Sequence, residues 1–285
     1  MEDVERQETI ERIRSKYPEV PFPNVYLDPI WRGIAGKQQV EGKSAIVVEH
    51  KGDEYVSALC SDQYQLVEHE VAVSQFEKVV SSFEEYGKPV IDIRLMSSGA
   101  RLCCEARFPD CPVKMGKDEL SPRAGVKNSI DLGWEYESWF GAMVERCTNG
   151  LLMFKRLLNG KQKHRLSLSL SEHMNTMSLG MSKLSEQYLI WEGWAKKQLN
   201  RAQTDTILEA LPISETQTEK ILELPEIGSG MVMKERLSKG HSITGWDLNS
   251  LVTQYFSNEV KESASREDKE SAISEAMHRQ MAKVV

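Results

Sequence analysis

Two charged side chains, Asp131 and Arg146, lie within residues 127–155 (KNSIDLGWEYESWFGAMVERCTNGLLMFK) among neighbours that otherwise read as core. A carboxylate and a guanidinium removed from water must be paired, hydrogen-bonded or bound to something. Either these two meet each other or a ligand meets them. The same segment holds Trp134, Tyr136 and Trp139, and from its end onward the chain carries Lys155, Arg156, Lys161, Lys163 and Arg165 with no acid between them. Cations that track a phosphodiester backbone, beside aromatic faces that stack on unpaired bases, are the combination that holds single strands. Arg146, Lys155, Arg156, Lys161, Lys163 and Arg165 are therefore candidate phosphate contacts, and Trp134, Tyr136 and Trp139 candidate stacking platforms. The plain alternative is a solvated basic turn after a core helix.

Other chemistries are less well supplied. Cys147 stands beside Arg146, and His164 or His173 offers a base, as an activated thiolate requires. Cysteine at the end of a buried strand is more often packing. Residues 36–44 (GKQQVEGKS) carry one residue too many between the glycines for a phosphate-binding loop, and an apolar strand follows where a helix should open. Cys103 and Cys104 are adjacent, so on a strand they point to opposite faces, and the histidines are not set at metal-ligand spacing. No catalytic residue, cofactor or metal is expected on these grounds.

The elements that must position these residues follow from the pattern of the chain. Its 285 residues are 40% hydrophobic and 28% charged, a globular balance, and the formal net charge of −7 argues against nucleic-acid binding by bulk electrostatics. The five cysteines, Cys60, Cys103, Cys104, Cys111 and Cys147, form no closely spaced pair and are expected as free thiols. The longest apolar runs, at 45–48 and 150–154, fall far below the roughly 20 residues of a membrane span, and residues 1–3 open no apolar signal region. A cytoplasmic protein with no membrane partner is expected.

Residues 2–17 carry a weak amphipathic helix pattern, and the proline-rich stretch that follows reads as an extended arm. Residues 44–50 and 55–60 read as a β-hairpin, 71–83 as a helix stopped by Gly87-Lys88-Pro89, and 90–96 with 101–108 as a second hairpin. Residues 109–125, with Pro109, Pro112 and Pro122, read as an exposed loop. A strand is expected up to about Arg146, then a turn at Asn149-Gly150 into a helix. Beyond 171 the spacing predicts a long helix to about 202, then helices at 203–211, 214–224 and 245–260, the last capped by Thr244 or Asp247. From Ser257 the few apolar positions suggest a solvated helix or frayed tail. The fold class is α+β: a mixed, mainly antiparallel sheet packed on helices, with a mostly helical C-terminal third. The expected divisions are 1–43 for helix and arm, 44–170 for the core, 171–260 for the helical region and 261–285 for the tail.

The steps Asn128-Ser129-Ile130-Asp131 and Arg146-Cys147-Thr148-Asn149-Gly150, with Gly245-Trp246-Asp247-Leu248-Asn249 later and Tyr64-Gln65-Leu66-Val67 earlier, resemble the phage/plasmid-like family catalogued as domain of unknown function 932. The resemblance spans most of residues 44–260. Its motif residues here are Asn128, Ser129, Asp131, Arg146, Cys147, Asn149 and Gly150, and the chain departs from the pattern at Ile130, Leu132 and Gly133, where many members have a His or Phe followed by Asp-Gly-Ser. The resemblance implies a phage, prophage or plasmid setting, and some members occur among recombination functions of mobile elements. The order of hairpin, helix, hairpin and strand is similar, at fold level only, to phage single-strand annealing proteins.

Three expectations result. The first is a non-enzymatic protein that binds or anneals single-stranded DNA in mobile-element recombination, with homo-oligomers compatible. The second is an interaction module that meets a host or phage protein through its acidic surface and helical C-terminal third. The third is an enzyme in which Asp131, Arg146, Cys147 and His164 converge in a pocket.

Overall fold

The computed structural model describes residues 3–32, 38–115, 118–144, 154–225, 231–258 and 264–284. In chain order the elements are α1 (Asp3–Lys16), β1 (Asn24–Arg32), β2 (Gln38–His50), β3 (Asp53–Ser61), α2 (His69–Val80), β4 (Val90–Met96), β5 (Arg101–Arg107), β6 (Val113–Met115), β7 (Asp118–Ser129), β8 (Tyr136–Val144) and β9 (Phe154–Gln162). Then come α3 (Leu170–Ser182), α4 (Leu184–Lys196), β10 (Gln198–Leu199), α5 (Arg201–Glu209), α6 (Glu215–Glu223), α7 (Met233–Ser238), β11 (Ile243–Thr244), α8 (Gly245–Asn258) and α9 (Ala264–Val284). Antiparallel sheets with helices make this an α+β fold.

The chain forms two compact units. The first comprises Met1–Cys111, Pro122–Ala142 and Arg156–Ser182; the second comprises Pro112–Ser121, Met143–Lys155 and Lys183–Val285. In the first unit β1, β2 and β3 form an antiparallel sheet. Ile46 and Val48 alternate onto its inner face and join Cys60, Tyr64, Ala100 and Ile130 in one apolar cluster. A larger sheet runs in the order β4-β5-β7-β8-β9. Strand side chains alternate between faces, so Leu102, Cys104, Ala106, Ala124 and Val126 turn to one side and are completely or nearly completely buried. α2, with Phe76 and Val80 fully buried, packs against β5, and burial of a side chain as large as Phe76 contributes about 2 kcal/mol. The opposite face holds a cross-strand row of Arg94, Cys103 and Lys127.

α1 is held differently. Ile13 is its one completely buried apolar residue, whereas Val4 is exposed. Its bases reach acids on or next to α2: Arg6 pairs with Glu68, Arg14 with Glu70 at 2.6 Å, and Lys16 with Glu77 at 2.5 Å. The Tyr17 hydroxyl also donates to Glu77, and burial followed by the Glu77 contact pushes that phenol well up.

In the second unit β6 pairs with the first residues of β7, and β10 pairs with β11. α8 packs against α4, α6 and α9. Asn200 and Gln203 form a reciprocal capping box at the start of α5, as do Ser214 and Gln217 at α6. Thr244 and Asp247 also cap reciprocally: the Asp247 N–H donates to Thr244 Oγ1 and the Thr244 N–H to Asp247 Oδ2, both at 3.0 Å.

Several expectations are corrected. Part of the proline-rich arm is β1, because Asn24 to Arg32 find a ladder partner in β2; the expected boundary at residue 43 therefore falls inside a strand. The expected loop at 109–125 contains β6 and the first eight residues of the twelve-residue β7, with Ala124 fully buried. Pro122 is tolerated in β7, where its carbonyl accepts from the Phe108 N–H at 3.2 Å. The basic cluster begins on β9, a strand rather than a helix. The long helix expected after residue 171 is broken between Ser182 and Leu184 into α3 and α4, and Gln198–Leu199 is a short strand. The expected tail includes α9, which buries Ile273, Ala276, Met277 and Met281. The expected turn at Asn149-Gly150 lies outside the described residues.

Candidate functional site

Register brings Arg101, at the start of β5, opposite Ser129, at the end of β7. The chain then makes a tight arch before β8. The Ser129 hydroxyl donates to Asp131 Oδ1 at 2.9 Å and accepts from the Trp134 N–H at 3.1 Å, while the Gly133 N–H donates to Asp131 Oδ1 at 2.9 Å. Arg101 Nε donates to Asp131 Oδ2 at 2.7 Å. Burial pushes the Asp131 carboxyl up, but the Gly133 N–H, the Ser129 hydroxyl and Arg101 outweigh it and hold the group below its ordinary value. A Cβ on Gly133 would press on the Arg101 guanidinium and on Asp131 Oδ1, so a larger residue there would require the ion pair to shift.

Trp134 is half-buried on this arch. The Arg101 guanidinium lies 5.0 Å from its ring centre and the Lys127 ammonium 5.7 Å, both within cation–π range. Lys127 also pairs with Glu137 at 3.8 Å. The arch thus presents an indole flanked by two cations, with Asp131 committed to Arg101, Lys127 paired with Glu137 and Glu135 exposed beside the indole.

A buried polar layer supports the arch. Asn128 Nδ2 donates to the Val67 carbonyl at 2.8 Å and lies 2.9 Å from His69 Nδ1, and His69 Nε2 lies 2.9 Å from the Gly99 carbonyl. These contacts suit one tautomer, with the proton on Nε2. Burial pushes the His69 pKa down to about 4 and keeps the ring neutral. The Tyr64 hydroxyl donates to the Ser129 carbonyl at 3.3 Å, and its ring stacks on His164 at 5.5 Å. Tyr136 lies edge-on to His164 and His173.

Ser138 Oγ lies 3.0 Å from His173 Nδ1, a distance at which a base could activate a nucleophile. Both residues are buried, and the Ser138 hydroxyl is also 3.3 Å from the His173 carbonyl. The pair ties β8 to α3. Cys60, Cys103, Cys104 and Cys111 are free thiols, as expected. Burial pushes their pKa values up, Cys103 to about 11, which is the reverse of thiolate activation. Among the described residues no group of three or more His, Cys, Asp or Glu could hold a metal ion.

The structure redistributes the predicted site. Tyr136 is fully buried and Trp139 is 4% exposed, with the Trp139 ring against Gly125, where a Cβ would stand 2.3 Å away. Both are core residues and present no stacking face, because β8 is covered on both sides where they lie. The described partner of Asp131 is Arg101. Arg146, Cys147, Asn149 and Gly150 lie outside the described residues, as do the side chains of Lys155 and Arg156. Trp134 stays in the site. Lys161, Lys163 and Arg165 are exposed near the end of β9 and just beyond it. Arg165 forms a backbone bridge to Tyr64, the residue that reaches Ser129, so these cations share the arch end of the sheet. Sequence reasoning missed Arg101 and Lys127; the hairpin at 90–108 puts Arg101 at the start of a strand, whereas Lys127 is placed only by the ladder between β5 and β7.

Comparison with family models, with curated proteins and with solved structures finds no match for this chain. Among the described residues no helix is long and apolar enough to cross a membrane.

Proposed function

We propose that the protein binds single-stranded DNA without catalysis, at the arch end of the larger sheet, in the mobile-element setting that its motif resemblance implies. The observation that carries this reading is Trp134, a half-buried indole flanked by Arg101 and Lys127. Bases stack on an indole whatever their identity, and adjacent cations meet the phosphates. Lys161, Lys163 and Arg165 extend the basic surface. Against a net charge of −7, binding rests on local contacts, so duplex DNA is held less well than a strand with free bases.

A labelled oligothymidine titrated with the full chain tests the reading by fluorescence anisotropy. Trp134→Ala should weaken binding about 5- to 150-fold, the range for loss of one stacked base. Reversing Lys161, Lys163 and Arg165 to glutamate should abolish it, and their three phosphate contacts correspond to a log–log salt slope of about −2. Absence of saturable binding at low salt, or an unchanged affinity in both variants, would reject the proposal. A protein-interaction role is the second reading, favoured by the free edge of β4.

A further inference from the structure

In the first unit a cavity of about 520 Å³ runs along β4. Ile91, Asp92, Ile93 and Leu95 form one wall, and Val20 and Pro21 of the arm face them. Successive strand residues point to opposite faces, so a cavity lined by consecutive residues of β4 sees that strand from its edge. β4 pairs with β5 alone. Among the described residues, the backbone hydrogen bonds outside the ladders involve β4 only at the Met96 carbonyl, which closes the turn to Gly99. Its outer edge therefore offers N–H and C=O groups with no strand beside them.

The arm cannot fill that role. Pro18, Pro21 and Pro23 lack an N–H, and the arm's bonds go elsewhere, from the Val20 N–H to the Tyr17 carbonyl, from the Phe22 N–H to the Val20 carbonyl and from Arg14 Nη2 to the Pro23 carbonyl at 3.0 Å. It stands off the edge as the far wall of a slot. At the C-terminal end of β4 the slot is lined by Lys51, Ser97 and Ser98, an ammonium and two hydroxyls suited to a carboxylate. Lys51 has no ion-pair partner among the described residues.

We propose that this slot binds an extended peptide as an added strand on β4. The peptide pairs its backbone with the outer edge, sets apolar side chains at alternate positions against Ile91, Ile93 and Leu95, and places a carboxylate on Lys51. At ~3.3 Å per residue, the stretch from Ile91 to Met96 takes about six residues of such a peptide. Neither the DNA reading nor Trp134 is needed for this inference. The carboxylate is a chain terminus or an acidic side chain, and the test separates the two.

A pool of random heptapeptides with free C-termini is selected on the immobilised full chain, and the enriched peptides are measured by fluorescence anisotropy. Enriched peptides should alternate apolar and polar positions and lose at least tenfold in affinity to Lys51→Glu. C-terminal amidation should have the same effect if the terminus is read, and aspartate-to-asparagine replacement if a side chain is read. N-methylation of alternate backbone nitrogens should abolish binding in one phase and spare it in the other, because only one set faces β4. Failure to enrich any sequence over the Lys51→Glu chain would overturn the proposal. So would equal tolerance of both N-methyl phases.

Discussion

Arg101 Nε lies 2.7 Å from Asp131 Oδ2, joining the first residue of β5 to the arch that follows β7. The same guanidinium stands over Trp134, so one ion pair orients both the acid and the indole of the proposed interface.

Removing Arg101 should therefore act on stability and on binding together. Arg101→Ala leaves Asp131 with the Ser129 and Gly133 contacts alone and should cost about 1–2 kcal/mol, read from the urea midpoint. It should also weaken oligothymidine binding. Because Asp131 is held below its ordinary 3.8, its contribution is present above that pH and is lost as pH falls through the lower folded value. Asp131→Asn should flatten unfolding stability below about pH 4.

His69 makes a pH prediction in a separate window. Its folded pKa of about 4 lies below the ordinary 6.5, so between these values the unfolded chain binds the extra proton. The stabilisation is complete above 6.5 and falls with pH down to about 4, a total of about 3 kcal/mol. His69→Gln should remove that slope in urea titrations across pH 4–7. An unchanged slope would contradict a neutral, buried His69.

Glu77 receives Lys16, Tyr17 and Arg12. Glu77→Ala should remove the acceptor of Lys16 and Tyr17 and cost about 1–2 kcal/mol, because Arg12 and Lys16 are half-exposed and regain water. Limited proteolysis should then cut near residues 17–23, and salt should accelerate cleavage of the wild-type chain only modestly, since the acids are buried.

Leu132 sits in the left-handed region at φ 59° and is 47% exposed. It has a backbone cost without full burial in return. Leu132→Gly should raise stability by about 1 kcal/mol, read as an increase in the urea midpoint with an unchanged slope.

Local patterns were legible in the chain. The hairpins at 44–60 and 90–108, the helix α2 and the entry to α8 at Thr244 and Asp247 depend on neighbours within a few residues, so turn chemistry, alternation and capping disclose them. β7 was hidden because Pro109, Pro112, Pro122 and Gly125 punctuate the segment, and only its ladder to β5 overrides that signal. α9 was hidden because its apolar positions are sparse and gain meaning from the helices they meet.

The sequence by itself determined that this chain is an α+β protein with an aromatic segment at 134–139 and a basic stretch after it, and it matched the free thiols of Cys60, Cys103, Cys104 and Cys111. It also showed that Asp131 needed a partner. Tertiary structure alone decided that the partner is Arg101, that Trp134 is half-exposed while Tyr136 and Trp139 are core, and that β4 has a free edge. Alternation separates the two faces of a strand but does not say which face is covered, and long-range register follows from the packing of whole sheets.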